Sequence, residues 1–170
     1  TLHESDIPPM TRFLVDQYTD SDESSTGHRV MFFDIEVEVT EGFPDVQKAY
    51  NPITSIALYD CITEKYFTYC FDPHKRIESY EKDNEVVEFY ETEYEMLNQF
   101  FQKYLEIRPT IISGWNSEFF DIPYLYNRAV RILGPELANL LSPISQVIYS
   151  EYKKKHTIAG VSSLDYLQLY

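Results

Sequence analysis

The chain has 170 residues, 44% hydrophobic and 16% aromatic, with 28 acidic and 14 basic side chains giving a net charge of −14. This is a folding composition, long enough for one domain with a sizeable core, and not that of a disordered segment. Five glycines in no GxGxxG or GxxxxGK(S/T) pattern exclude the usual nucleotide loops, the isolated Cys61 and Cys70 exclude a cysteine zinc cluster, and no apolar run is long enough to span a membrane.

Residues 1–22, with Pro8-Pro9, read as a linker or arm, followed by a polar loop to Gly27. Residues 30–39 (VMFFDIEVEV) are rich in Val, Ile and Phe and read as a central strand. Residues 53–59 and 66–71 are two further strands, joined as a hairpin by the polar stretch 60–65. Residues 72–84 read as a charged loop and 85–90 as a short fourth strand. The strongest helix signal is 92–107. Thr92 and Glu95 fit a capping box, and Leu97, Phe100, Phe101, Tyr104 and Leu105 recur on one face. Arg108-Pro109 stops it. Residues 110–113 form a short buried strand, and Pro123 and Gly134 bracket a second helix over about 122–133. Residues 144–158 read as two short strands around a Lys-rich turn, and 162–170 begin as another strand. Antiparallel strands first and β-α-β crossovers later imply an α/β fold: a mixed sheet flanked by helices, with an added β-hairpin.

Two constellations carry chemistry. Asp34 and Glu36 stand at i and i+2 of the first strand, so both carboxylates leave the same face. Hard divalent cations take oxygen ligands held in this way, and carboxylates in an apolar setting need a partner or a metal. Against this, a D-x-E spacing is common among 28 acidic residues. The second is Asn116-Ser117-Glu118-Phe119-Phe120-Asp121, between the strand 110–113 and the next helix. Asp121 is expected just past the strand end, where α/β sheets place their sites. The plainer alternative makes Asp121 a helix N-cap and Asn116 a turn residue. The four histidines show no ligand spacing.

In this order the chain resembles the 3′→5′ exonuclease domain of family B DNA polymerases, of the T-even-like phage replicative type. Phe33-Asp34-Ile35-Glu36 is similar to the first exonuclease motif, F-D-I-E, and residues 116–121 to the second, N-x-x-x-F-D. Gly42-Phe43-Pro44 resembles a G-F-P loop, Trp115 and Pro123-Tyr124 extend a GWN…FD-P-Y string, and Gly160-Val161-Ser162 with Leu164-Asp165-Tyr166 resembles the strand that follows. Glu4-Ser5-Asp6-Ile7 and Arg12-Phe13-Leu14 resemble the segment leading in.

The resemblance implies a ribonuclease H-like fold. It also implies a DNA-directed DNA polymerase whose proofreading exonuclease hydrolyses 3′-terminal phosphodiesters of single-stranded DNA. Two divalent ions, Mg²⁺ or Mn²⁺, would be held by Asp34, Glu36 and Asp121: Asp34 bridging both, Glu36 on the water-activating ion, Asp121 on the other. Phe43 and Asn116 would contact the 3′ end; Phe43 could equally be a loop residue folded over the core. Residues 144–158 resemble the hairpin that helps part primer from template, or are a plain hairpin with a solvated Lys tip. Residues 1–27 would be an arm from a preceding domain and 28–170 the exonuclease domain, ending before the family's third motif, Y-x-x-x-D, which leaves a weak or inactive fragment. The expected partners are the 3′ end and the remaining polymerase domains, with no membrane, in the cytoplasm (of the host, for a phage). The −14 charge opposes phosphate binding unless cations and a neighbouring basic channel compensate. A nuclease of the same fold acting on RNA, and a non-catalytic module, remain the competing readings.

Overall fold

Strand β1 (Val30–Val37) has two faces. In the computed structural model, which describes residues 7–40 and 42–169, Met31, Phe33 and Ile35 are buried, while Phe32, Asp34 and Glu36 are exposed. That is the period-two alternation of a strand packed on one side only. β2 (Ile53–Asp60) pairs antiparallel with β1, and β3 (Lys65–Phe71) returns from the expected hairpin. β5 (Glu85–Tyr90) runs parallel to β3. On the other side of β1, β6 (Ile111–Gly114) is parallel to it, and β9 (Ser162–Asp165) is parallel to β6. With β4 (Tyr80–Lys82) at the edge, the order is β4-β5-β3-β2-β1-β6-β9. A mixed sheet flanked by helices is therefore what forms.

Helix α2 (Glu93–Ile107) lies over β2, β3 and β5, and α3 (Asp121–Ile132) reaches β1. Thr92 caps α2 as expected: its hydroxyl accepts from the Glu95 N–H at 3.2 Å and donates to the Glu95 carboxylate at 2.8 Å. Arg108 closes the helix in the left-handed region, before Pro109. The core joins Met31, Phe33 and Ile35 to Met96, Leu97, Phe100, Phe101 and Tyr104 of α2 and to Ile122, Tyr124 and Leu125 of α3.

Several elements differ from the sequence reading. Residues 9–18 are not plain arm but helix α1 (Pro9–Tyr18), which buries none of its residues. Pro9 lacks a donor and has a preset φ, which suits a first helical turn as well as a loop. Residues 1–6 lie outside the described part. The charged loop 72–84 contains β4, because Asp83 adopts φ 55° and turns the chain into a hairpin with β5. Leu105 is 40% exposed and Ile107 takes its place in the core, since the apolar stripe of α2 drifts around the helix. α4 (Pro135–Ala138), a 3-10 turn (Asn139–Leu141) and α5 (Tyr166–Leu169) were not anticipated; the last replaces the end of the expected final strand. β7 (Val147–Ser150) and β8 (Lys155–Ile158) form a separate hairpin with Tyr152 fully exposed near its tip.

Candidate active site

β6 pairs with β1 only as far as Phe32↔Ser113, while β1 runs on. Beyond that point the N–H groups of β1 on this side have lost their strand partner. The chain leaving β6 supplies a substitute. Asn116 takes φ 58°, a left-handed conformation that Asn tolerates. Its carbonyl accepts from the N–H groups of Phe119 and Phe120, closing a tight turn. α3 then starts at Asp121, whose Oδ1 accepts the Ile35 N–H at 3.0 Å. Ile35 lies between Asp34 and Glu36, so the third sequence-selected carboxylate docks on the segment that carries the other two.

The three are not in equal surroundings. Asp34 and Glu36 project from the exposed face of β1, and neither carboxylate has a hydrogen bond or ion pair among the described residues. The sequence reading expected them in an apolar setting; they occupy the even, unpacked positions of the strand instead. Asp121 is the buried member, 3% exposed. Its carboxyl is pushed up to about 7, first by burial and then by the charges of Asp34 and Asp165, against the Ile35 N–H, which favours the ionised form. A register shift between Glu36 and Val37 bends the strand end just past these residues. Among the described residues, no three His, Cys, Asp or Glu side chains are gathered closely enough to hold a metal ion. The donor set nevertheless suits a hard divalent cation: two carboxylates without a cationic partner flank a third that burial and like charge keep from ionising easily.

Phe43 is 81% exposed, so it is not folded into the core. Its ring lies 5.2 Å from that of Phe120, tilted by 56°. With Glu36, Pro44 and Phe120 it lines a 420 Å³ depression beside the end of β1. Asn116 does not border that depression; its N–H donates to Asp165 at 2.9 Å. The hairpin is tied to the same turn, because Lys155 Nζ donates to the Glu118 carboxylate at 2.5 Å. Lys155 is thus an anchor, and the exposed lysines are Lys153 and Lys154.

Two residues went unnoticed as contributors. A Cβ on Gly114 would stand 2.7 Å from the Phe33 carbonyl oxygen and 3.0 Å from Ser117 Cβ, so only glycine lets β6 end this close to β1. Asp165 is buried at the end of β9 and holds the turn through its backbone. The GWN string marks the first; the Leu164-Asp165-Tyr166 match includes the second without giving it a role.

Burial of Asp121 predicts a pH effect. Its folded-state value of about 7 exceeds the ordinary 3.8, so the stability associated with this group is complete below about pH 4 and is lost as pH rises through 7. Without divalent cations, Asp121→Asn keeps an acceptor for Ile35 and removes that loss. The variant is expected to be more stable than the parent at pH 8, by up to roughly 4 kcal/mol, and to converge with it near pH 4. Chemical denaturation at the two pH values checks this; an unchanged difference between them would show that Asp121 ionises freely.

The family described as DNA polymerase family B, exonuclease domain, matches residues 13–170. The chain is 34% identical over 171 residues to the DNA-directed DNA polymerase of Escherichia phage RB69, covering 84% of this chain and 19% of that protein. It is 33% identical over 165 residues to the DNA-directed DNA polymerase of Enterobacteria phage T4, covering 79% and 18%. DNA polymerase 1 of Saccharolobus solfataricus is 30% identical over 131 residues, 77% of this chain and 13% of that protein. The chain thus spans less than a fifth of the length of these relatives. The fold is the mixed, ribonuclease H-like α/β arrangement expected of such a domain, and the chain belongs to the exonuclease-domain family of the family B DNA polymerases.

Proposed function

We propose that the domain is the proofreading 3′→5′ exonuclease of a longer replicative DNA polymerase and hydrolyses the terminal phosphodiester of a single-stranded DNA 3′ end. The observation that carries this reading is the docking of Asp121 on the Ile35 N–H, between Asp34 and Glu36. Of the three carboxylates around this short backbone segment, Asp34 and Glu36 have no partner among the described residues and so serve no evident structural purpose. Asp34, Glu36 and Asp121 are the residues that would hold two divalent ions, Mg²⁺ or Mn²⁺. Such ions would bring positive charge to the scissile phosphate and acidify a water molecule. Residues 28–170 then make up most of the exonuclease domain, with residues 1–27 leading in from a preceding one. The remaining polymerase domains supply the basic channel that a net charge of −14 denies this one. We place the activity in the cytoplasm, the host's in the case of a phage.

Phe43 offers an exposed aromatic face beside Glu36 on which a frayed base can stack without regard to sequence. Phe43→Ala in the full-length protein is expected to weaken excision about 10-fold, since one base-aromatic stack contributes about 1–3 kcal/mol. Thermal stability should change little, because the ring is largely solvated. A large fall in melting temperature with unaltered excision would assign Phe43 to packing instead. Asn116, with its left-handed backbone, shapes the turn and contacts the 3′ end in this reading.

The test of the function is the Mg²⁺-dependent release of nucleoside monophosphates by the full-length protein from matched single-stranded DNA and RNA 3′ ends. Release from DNA is expected. Equal or faster release from RNA would favour an RNA-directed nuclease, and no release from either would leave a non-catalytic module.

A further inference from the structure

Asp165 is a buried carboxylate outside the trio of Asp34, Glu36 and Asp121. It is 3% exposed, stands at the end of β9 opposite Gly114, and has no cationic partner among the described residues. An unpaired buried carboxylate is costly unless hydrogen bonds compensate. Here three backbone donors do: Asn116 N–H to Oδ1 at 2.9 Å, Glu118 N–H to Oδ2 at 3.0 Å and Leu167 N–H to Oδ1 at 3.0 Å. The first two belong to the turn that delivers Asp121 to β1, and in a turn they have no ladder or helix partner of their own. Each oxygen takes one of them, so the carboxylate spans the turn as a clamp.

We propose that Asp165 is a positioning residue for the exonuclease site: its carboxylate fixes the Asn116–Phe120 turn and thereby sets where Asp121 meets the β1 segment of Asp34 and Glu36. The inference rests on the function proposed above. An amide at position 165 offers one oxygen where the turn needs two, and directs an N–H₂ group at a second N–H. The turn should then lose one of its two ties to β9. Besides the tie that stays, the turn is held by the Glu118 side chain, which accepts from Lys155 Nζ at 2.5 Å and Gln168 Nε2 at 2.9 Å. These bonds restrain a side chain, not the backbone that carries Asp121.

The experiment compares the full-length protein with Asp165→Asn, and with Ser142→Ala as a control. Ser142 is also buried and hydrogen-bonded, but to Ala159 and Ile144, outside the site. Two readouts are taken: single-stranded DNA excision at saturating Mg²⁺, and amide hydrogen exchange. For Asp165→Asn, kcat should fall at least about 10-fold with KM within about 2-fold, at temperatures well below melting. The amides of Asn116 and Glu118 should exchange at least about 10-fold faster, with those of β2 and β3 unchanged. Excision within about 2-fold of the parent would overturn the proposal. So would a loss that Ser142→Ala reproduces at equal melting temperature and that cooling removes, for that is a purely structural role. Should the parent itself excise nothing, the function above fails, and the exchange rates alone decide the clamp: unchanged protection of Asn116 and Glu118 refutes it, selective loss upholds it.

Discussion

Arg128→Met is expected to destabilise the domain by about 3–5 kcal/mol, the usual cost of leaving one member of a buried ion pair alone. Arg128 on α3 is 7% exposed and Glu93, the first residue of α2, is 8% exposed. One edge of the guanidinium meets the carboxylate with two N–H groups, Nε to Oε1 at 2.8 Å and Nη2 to Oε2 at 2.5 Å. Nη1 donates to the carbonyls of Ala49 at 3.1 Å and Tyr50 at 2.7 Å. Glu93 Oε1 also accepts the Ile53 N–H at 2.8 Å. One bidentate pair therefore ties α2, α3 and the chain entering β2 together, and holds Ala49 at φ 43°, which alanine rarely adopts. Methionine fills much of the volume but leaves Glu93 charged, buried and bonded to little besides one N–H. A melting temperature lower by roughly 10 °C would follow for a domain of this size. Arg128→Met combined with Glu93→Gln should recover part of the loss, because the orphaned charge is gone. A single variant within 1 kcal/mol of the parent, by denaturant titration, would mean that water or rearrangement satisfies Glu93.

Much of this architecture is legible in the linear sequence because it is periodic. The two-residue alternation around Asp34 and the capped apolar stripe beginning at Thr92 each name an element and its buried face. The pairing of Asp34 with Glu36 on one face follows from strand geometry alone. What the sequence does not reveal depends on where strands stop. That Asp121 caps the Ile35 N–H requires β6 to end at Gly114 while β1 continues, and nothing in residues 110–121 states the length of their partner. Asp165 is one of 28 acidic residues, and only the β6–β9 register turns it toward the Asn116 turn. Arg128 and Glu93 lie 35 residues apart on different helices, with no pattern linking them. The exposure of Asp34 and Glu36 inverts the expectation drawn from their apolar neighbours, because Met31, Phe33 and Ile35 face the opposite side of the strand.

Asp34→Ala in the full-length protein is expected to lower excision by at least about 10³-fold. Charge stabilisation of the kind supplied by a bound divalent ion amounts to several kcal/mol in the transition state, and each 1.36 kcal/mol is a factor of ten. Asp34 is the side chain best placed to contribute. It leaves the exposed face of β1 next to the N–H that holds Asp121, and its charge is felt by the buried carboxyl. The fold has little reason to notice the change. Asp34 has no hydrogen bond or ion pair among the described residues, and an exposed substitution of this kind shifts stability within about 0.5 kcal/mol. Removing its charge also relieves Asp121, so divalent-free stability at pH 8 should be equal or slightly higher, while the stabilisation given by added Mn²⁺ should shrink. In the longer polymerase proposed above, DNA synthesis should be unaffected. This combination, with activity lost, fold kept and cation response diminished, separates a ligand from a structural acid. Glu36→Gln should follow the same pattern with a smaller loss, since an amide oxygen keeps one weak donor for the cation. If Asp34→Ala excises within about 10-fold of the parent, or if its loss of activity matches a fall in melting temperature, the carboxylates of β1 are not the seat of the reaction.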